Sequence, residues 1–182
     1  MIFESLRDDD RSRVNEILVA TGAFGDEEIA VALELFDSVA HSAHSTRAGG
    51  QALASSAAPD TDYEFIGARD AEGTLLGYAC FGPTPSTHGT YDLYWLAVDP
   101  DLQGRGVGRR LVRWIEQRLE KRGARMLVAE TSSRDDYVRT REFYQRAGFA
   151  EAARVRDFYA PADDRIIYTT RLAAREVGAA TP

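Results

Sequence analysis

The fold turns on one stretch, Leu96-Ala97-Val98-Asp99-Pro100-Asp101-Leu102-Gln103-Gly104-Arg105-Gly106-Val107-Gly108-Arg109-Arg110. Thr90 to Val98 reads as a strand that Asp99-Pro100 stops, because proline has no N–H to give to a ladder. Val107 to Arg122 reads as a helix, with Val107, Leu111, Ile115 and Leu119 on one stripe. Between the two, Gly104, Gly106 and Gly108 permit positive φ and close approach of the backbone to a ligand. The first helical turn adds unpaired N–H groups and the positive dipole end, which together form an anion site. Arg105, Arg109, Arg110 and Arg113 cluster here, with no acid between Leu102 and Ile115. Cations at a helix N-terminus cost up to roughly 1 kcal/mol each, a sign that a bound polyanion reverses. The alternative is a set of solvated surface arginines.

Beyond this helix, Gly123 is a stop, Arg125 to Thr131 a strand, and Tyr137 to Ala147 a helix ended by Gly148. Phe149 to Tyr159 and Arg165 to Leu172 form an antiparallel pair around Pro161-Ala162-Asp163-Asp164, and Ala173 to Pro182 is a frayed tail. Before the decisive stretch, Tyr63 to Arg69 and Thr74 to Phe81 make a hairpin around Asp70-Ala71-Glu72-Gly73, ended by Pro83 and Pro85. Ile2 to Arg7 is a first strand. Asp8, Asp9 and Asp10 offer caps for a helix over Arg11–Ala20, and Asp26 caps a second helix to about Ala40. His44 to Asp62, rich in Ala, Ser and Gly, reads as a long mobile loop. The result is one domain over residues 1–172. It is an α/β arrangement of about seven strands and four helices with a central βαβ crossover.

Composition narrows the function. The 182 residues are 44% apolar and 28% charged, ordinary usage for a globular domain. No apolar run reaches the ~20 residues of a membrane helix. The net charge of −7 speaks against a nucleic-acid partner and suits a cationic one. A single cysteine, Cys80, excludes an internal disulfide and fits a reducing cytoplasm; it lies in an apolar strand and reads as core. His41, His44 and His88 lack metal-ligand spacing, so no metal is expected.

Several polyanions remain possible at the glycine turn. A P-loop needs Gly-Lys-Ser/Thr, which is missing. A dinucleotide fingerprint needs glycine where Arg109 stands, although Glu130 lies where a ribose-binding acid would. Gln-x-x-Gly-x-Gly, here Gln103, Gly106 and Gly108, resembles the signature of the GNAT acetyltransferases. Phe143-Tyr144-Gln145-Arg146-Ala147-Gly148-Phe149 resembles that family's second landmark. The resemblance covers about residues 63–172 and implies a mixed, mostly antiparallel sheet with a V-shaped split between the Thr90–Val98 and Arg125–Thr131 strands. It implies acetyl-CoA as co-substrate, held by Leu96, Ala97 and Val98 along the pantetheine and by Gln103, Gly104, Arg105, Gly106, Val107, Gly108 and Arg109 at the pyrophosphate. The Val98 N–H would polarise the thioester carbonyl.

The same resemblance makes Tyr144 the acid for the departing thiolate, though an aromatic beside Tyr137 and Phe143 also serves as core. Strand alternation puts Asp92, Tyr94, Leu96 and Val98 on one face. Asp92 is the first candidate for the base, or a counter-ion for the amine, and Glu130 the second. Tyr94 lines the site, and Tyr159 with Tyr91, Trp95 and Phe158 offers an aromatic acceptor surface. Asp163 and Asp164 are candidate cation attractors. Where many family members carry asparagine, Tyr137 stands, and Ser132 or Ser133 is the candidate replacement for that coenzyme contact. The expected partner is a small-molecule or peptide amine, and the chain a monomer or homodimer. A non-catalytic acyl-CoA sensor and a dinucleotide-binding domain stay open.

Overall fold

The computed structural model describes residues 1–47 and 63–172. Its strands are β1 (Ile2–Ser5), β2 (Glu64–Arg69), β3 (Leu75–Pro83), β4 (Thr90–Val98), β5 (Met126–Ser132), β6 (Ala150–Ala160) and β7 (Asp163–Arg171), and its helices are α1 (Arg11–Thr21), α2 (Asp26–Arg47), α3 (Val107–Lys121) and α4 (Val138–Arg146). The strands form a seven-stranded sheet in the order β1-β2-β3-β4-β5-β7-β6. β4 and β5 are parallel, joined through α3, while β1 with β2, β5 with β7 and β6 with β7 are antiparallel. This is the mixed, mostly antiparallel arrangement expected. It is not the doubly wound parallel sheet of a dinucleotide-binding domain.

The chain divides into two compact units, Met1–Cys80 with Trp95–Val107, and Phe81–Tyr94 with Gly108–Pro182. In the first, α1 buries Val14, Ile17 and Leu18, and α2 buries Ala32 and Phe36. The Phe36 ring meets Phe65 edge-on at 5.6 Å, and Phe65 stacks on Tyr78 at 6.4 Å. Each such large apolar side chain contributes about 1.5–3 kcal/mol on burial. Gly77 has a packing reason: a Cβ there would lie 2.8 Å from the Ala97 carbonyl and 3.1 Å from Val98 Cα. Cys80 is fully buried, as its apolar strand predicts.

In the second unit, α3 buries Leu111, Val112, Ile115 and Leu119, and β5 and β7 add Leu127, Ala129, Ile166 and Tyr168. The β4–β5 ladder runs from Thr90↔Met126 to Leu93↔Ala129, while β4 continues to Val98 and β5 to Ser132. β6 is exposed along its whole length. Between Val155 and Ala160 its register breaks, and Arg156, Asp157, Phe158 and Tyr159 stand opposite Asp164 alone.

Three local expectations need correction. α2 runs on to Arg47, so His44–Arg47 is helix and not loop; no glycine or proline stops it before Gly49. The rest of that predicted loop and the tail lie outside the described residues. The aspartate run does not cap α1. Asp8–Asp10 form a 3-10 turn of their own, and Asp10 is buried, accepting from the Arg7 amide at 2.7 Å and from Arg69 Nη2 at 2.5 Å. A buried carboxylate with a charged partner outcompetes an exposed cap. The final turn is tighter than predicted, because β7 already starts at Asp163.

Candidate active site

The corner between β4 and α3 is built by short-range bonds. Pro100 supplies a fixed φ to open a 3-10 turn over Pro100–Leu102, and the Asp99 carboxylate accepts from the Asp101 amide at 2.9 Å. That bond, followed by the Arg13 guanidinium, holds the Asp99 carboxyl below its ordinary value against the effect of desolvation. The Gln103 amide donates to Pro100 O at 3.2 Å, and its side chain reaches back to Val98 O at 3.4 Å. Gly104 and Gly106 then take φ of 74° and 82°, a region that L side chains rarely enter. No atom lies within 4 Å of a Cβ built on either. The backbone here is open to a ligand.

α3 begins at once, with Val107 and Gly108 buried and the amides of its first turn lacking helical partners. Arg105, Arg109 and Arg110 are exposed, and no ion pair among the described residues engages them. Open amides, a dipole end and uncommitted guanidinium groups suit a diphosphate. The structure thus gathers Leu96, Ala97, Val98 and Gln103 to Val107 in the first unit, with Gly108 and Arg109 opening the second.

The second unit contains the proton-handling candidates. Asp92 is half-buried on β4. Its Oδ2 accepts from Thr84 Oγ1 at 2.8 Å and, over a longer 3.4 Å, from the Tyr94 hydroxyl. Glu130 is paired with Arg165, whose guanidinium lies 4.7 Å above the Phe158 ring. Glu130 raises the Arg165 pKa above its ordinary value, and Tyr159 and Asp92 add smaller contributions in the same direction. Tyr159 is half-exposed and meets Phe158 edge-on at 5.0 Å. Arg165 therefore joins Glu130 and Phe158 directly.

Tyr144 is buried, 6% exposed, between Tyr168 at 5.6 Å, Phe149 at 5.4 Å and Phe143 at 5.5 Å. Desolvation pushes its phenol well above the ordinary value, so it keeps its proton at neutral pH. None of its ring contacts connects it to Arg165.

Some sequence candidates are committed elsewhere. Ser132 Oγ bonds the Asp163 carboxylate and accepts from the Arg134 amide, and Ser133 Oγ accepts from the Asp164 amide at 2.8 Å. The Ser132 hydroxyl thus spends its donor on Asp163, whereas Ser133 Oγ only accepts and its O–H can still donate. Asp163 is buried against Ser132 and Asp164 is bonded to Arg154, so both shape the β6–β7 turn. Tyr137 lies under the Arg134 guanidinium at 5.9 Å. Reading the sequence missed Thr84, Gly77 and Arg165. Thr84 was legible in principle: the turn into β4 returns its amide to Thr90 O at 2.9 Å.

Among the described residues no helix is long and apolar enough to cross a membrane, and no group of three or more His, Cys, Asp or Glu is placed to hold a metal ion. Residues 32–149 match the model of the acetyltransferase (GNAT) family. The chain belongs to that family. Among solved structures, a GNAT-family protein from Desulfovibrio desulfuricans is 39% identical, with a TM-score of 0.79 over 94% of this chain and 99% of the other. The S-(2-succino)cysteine N-acetyltransferase of Bacillus subtilis is 26% identical over 40% of this chain and 44% of its own. The N-alpha-acetyltransferase RimI of Mycobacterium tuberculosis is 36% identical over 52% of this chain and 57% of its own. The chain thus spans about half the length of these curated relatives.

Proposed function

We propose that this GNAT chain is an N-acetyltransferase that moves an acetyl group from acetyl-CoA directly to an amine. The observation that carries the reading is the corner at Gly104 and Gly106, open above a helix start and ringed by uncommitted arginines. The pyrophosphate binds there, and the acetyl-pantetheine runs along Leu96, Ala97 and Val98, with the Val98 N–H donating to the thioester carbonyl. That dipole stabilises the oxyanion as the carbonyl becomes tetrahedral.

The acceptor arrives as an ammonium and must lose a proton before its lone pair can attack. Asp92, fixed by Thr84 and Tyr94, accepts it. Glu130 is the weaker candidate, since it must first leave Arg165. The C–N bond then forms, the C–S bond breaks, the coenzyme thiolate takes the Tyr144 proton, and the surplus proton on the new amide nitrogen passes through solvent to restore the Tyr144 phenol. Tyr94 and Tyr159 contact the acceptor, a small-molecule or peptide amine; the relative named as an N-alpha-acetyltransferase favours trying peptide N-termini early. The enzyme works in the cytoplasm as a monomer or homodimer, on one domain over residues 1–172.

The test is calorimetry with acetyl-CoA, followed by thiol release on a panel of amines and peptides. Micromolar binding with release on at least one acceptor is expected. Failure to bind acetyl-CoA removes the reading. Tight binding with no release on any acceptor favours the acyl-CoA sensor, a reading supported by both carboxylates already having partners.

A further inference from the structure

Arg13, on α1 and outside the residues matched by the family model, is bound to the strand-to-helix corner. Its Nη2 is paired with the Asp99 carboxylate, its Nε donates to Leu75 O at 3.3 Å, and its Nη1 meets Glu16 at 3.1 Å. Asp99 in turn organises the corner. Its backbone N–H donates to Leu76 O at 3.0 Å, its O accepts from the Leu102 amide at 2.9 Å, and its other carboxylate oxygen holds the Asp101 amide. All these residues lie in the first unit.

The placement has an electrostatic difficulty. A carboxylate that caps the turn leading into Gln103–Val107 stands four residues before Gln103, where the proposed polyanion site begins, and like charges repel. Asp99 is only 18% exposed, so water screens it poorly. The geometry points to Arg13 as a positioning residue for acetyl-CoA: its guanidinium, shared with Glu16, offsets the Asp99 charge and fixes the Asp99 side chain, so the corner keeps its cap with less repulsion of the diphosphate. The inference rests on the assignment of acetyl-CoA to this corner and adds to it a group that never touches the coenzyme.

The experiment measures acetyl-CoA binding by calorimetry and steady-state kinetics for wild type, Arg13→Met, Asp99→Asn and the double variant. Circular dichroism melting of each checks the fold. Arg13→Met should weaken acetyl-CoA about tenfold and raise its KM in step, with kcat at saturating coenzyme within about twofold of wild type. Asparagine still accepts from the Asp101 amide but carries no charge, so Asp99→Asn should bind at least as well as wild type. The double variant should recover to within about threefold, a coupling that a purely structural role of Arg13 would not produce. Wild-type affinity in Arg13→Met, or a loss that Asp99→Asn fails to rescue, overturns the inference and leaves the coenzyme site standing. If Arg13→Met does not fold, Asp99→Asn decides: a tenfold loss there refutes charge cancellation. Wild type that fails to bind acetyl-CoA refutes the underlying site instead.

Discussion

The strand-to-helix corner and the β5–β7–β6 region treat charge in opposite ways. At the corner, Arg105, Arg109 and Arg110 stand exposed without ion pairs among the described residues, and of the two nearby acids Asp101 is exposed while Asp99 is turned onto Arg13 and the Asp101 amide. In the β5–β7–β6 region, Glu130 has Arg165, Asp164 has Arg154, and Asp163 has Ser132. Cations left uncompensated at a helix start are suited to offset a bound anion. Charges that satisfy one another shape a frame, and a reaction that uses one of them must first break the pair.

The sharpest way to break this contrast is to close the corner. Gly106→Val places a β-branched side chain at φ 82° and fills open space. Backbone strain of about 1–3 kcal/mol and the lost amide contacts should lower acetyl-CoA affinity about 100-fold or more. Calorimetry giving wild-type affinity would take the coenzyme away from the corner. Next comes Tyr144→Phe, expected to lower kcat about 100-fold while acetyl-CoA affinity holds. Loss of affinity with kcat intact would make Tyr144 a packing residue only.

A smaller effect concerns pH. Burial raises the phenols of Tyr78 and Tyr144 above the ordinary 10.0, so the folded state holds protons that the unfolded chain releases. The buried Cys80 thiol is likewise raised above its ordinary 9.0, so stability should be level below pH 9, then fall by about 1.4 kcal/mol per pH unit, and above pH 10 fall more steeply, by a further ~1.4 kcal/mol per pH unit for each tyrosine. Chemical denaturation at pH 8 to 11 reads this, and a level curve would show the two rings to be more solvated than their packing indicates. The smallest effect is expected on the paired side. The Glu130–Arg165 pair is about one-third exposed, so Glu130→Gln should change stability by no more than about 1 kcal/mol. Its kcat should stay within about threefold of wild type if Asp92 is the base. A 100-fold fall in kcat would exchange the roles of the two carboxylates.

What was legible in the sequence followed range. β4 was read to the residue, because Asp99-Pro100 ends it in sequence, and the α3 stripe of Val107, Leu111, Ile115 and Leu119 is buried as its period requires. The glycine corner was legible because its chemistry is contiguous. Partners set by tertiary pairing were not. Asp10 looked like a cap because Arg69, its actual partner, lies 59 residues away. Arg165 meets Glu130 because the β5–β7 register puts Glu130 opposite Ile167 and brings Arg165 to the neighbouring place on the same face, a register no local pattern encodes. Ser132 seemed available for the same reason. α2 overran its expected end because Ala40–Arg47 contains no breaker.

The interrupted last strands also bear on how this protein behaves in concentrated solution. An outermost strand such as β6 offers a row of unpaired backbone groups that a neighbouring chain can copy into a growing sheet. Here that row is broken by the bulge, where Asp157 turns to φ 51°, and carries Arg154 beside the break and Arg156 within it. Straightening it by deleting Arg156–Tyr159 would remove Phe158 and Tyr159 and leave a flatter template. The cost of a tidier β-sheet would then be a protein prone to fibrous self-association.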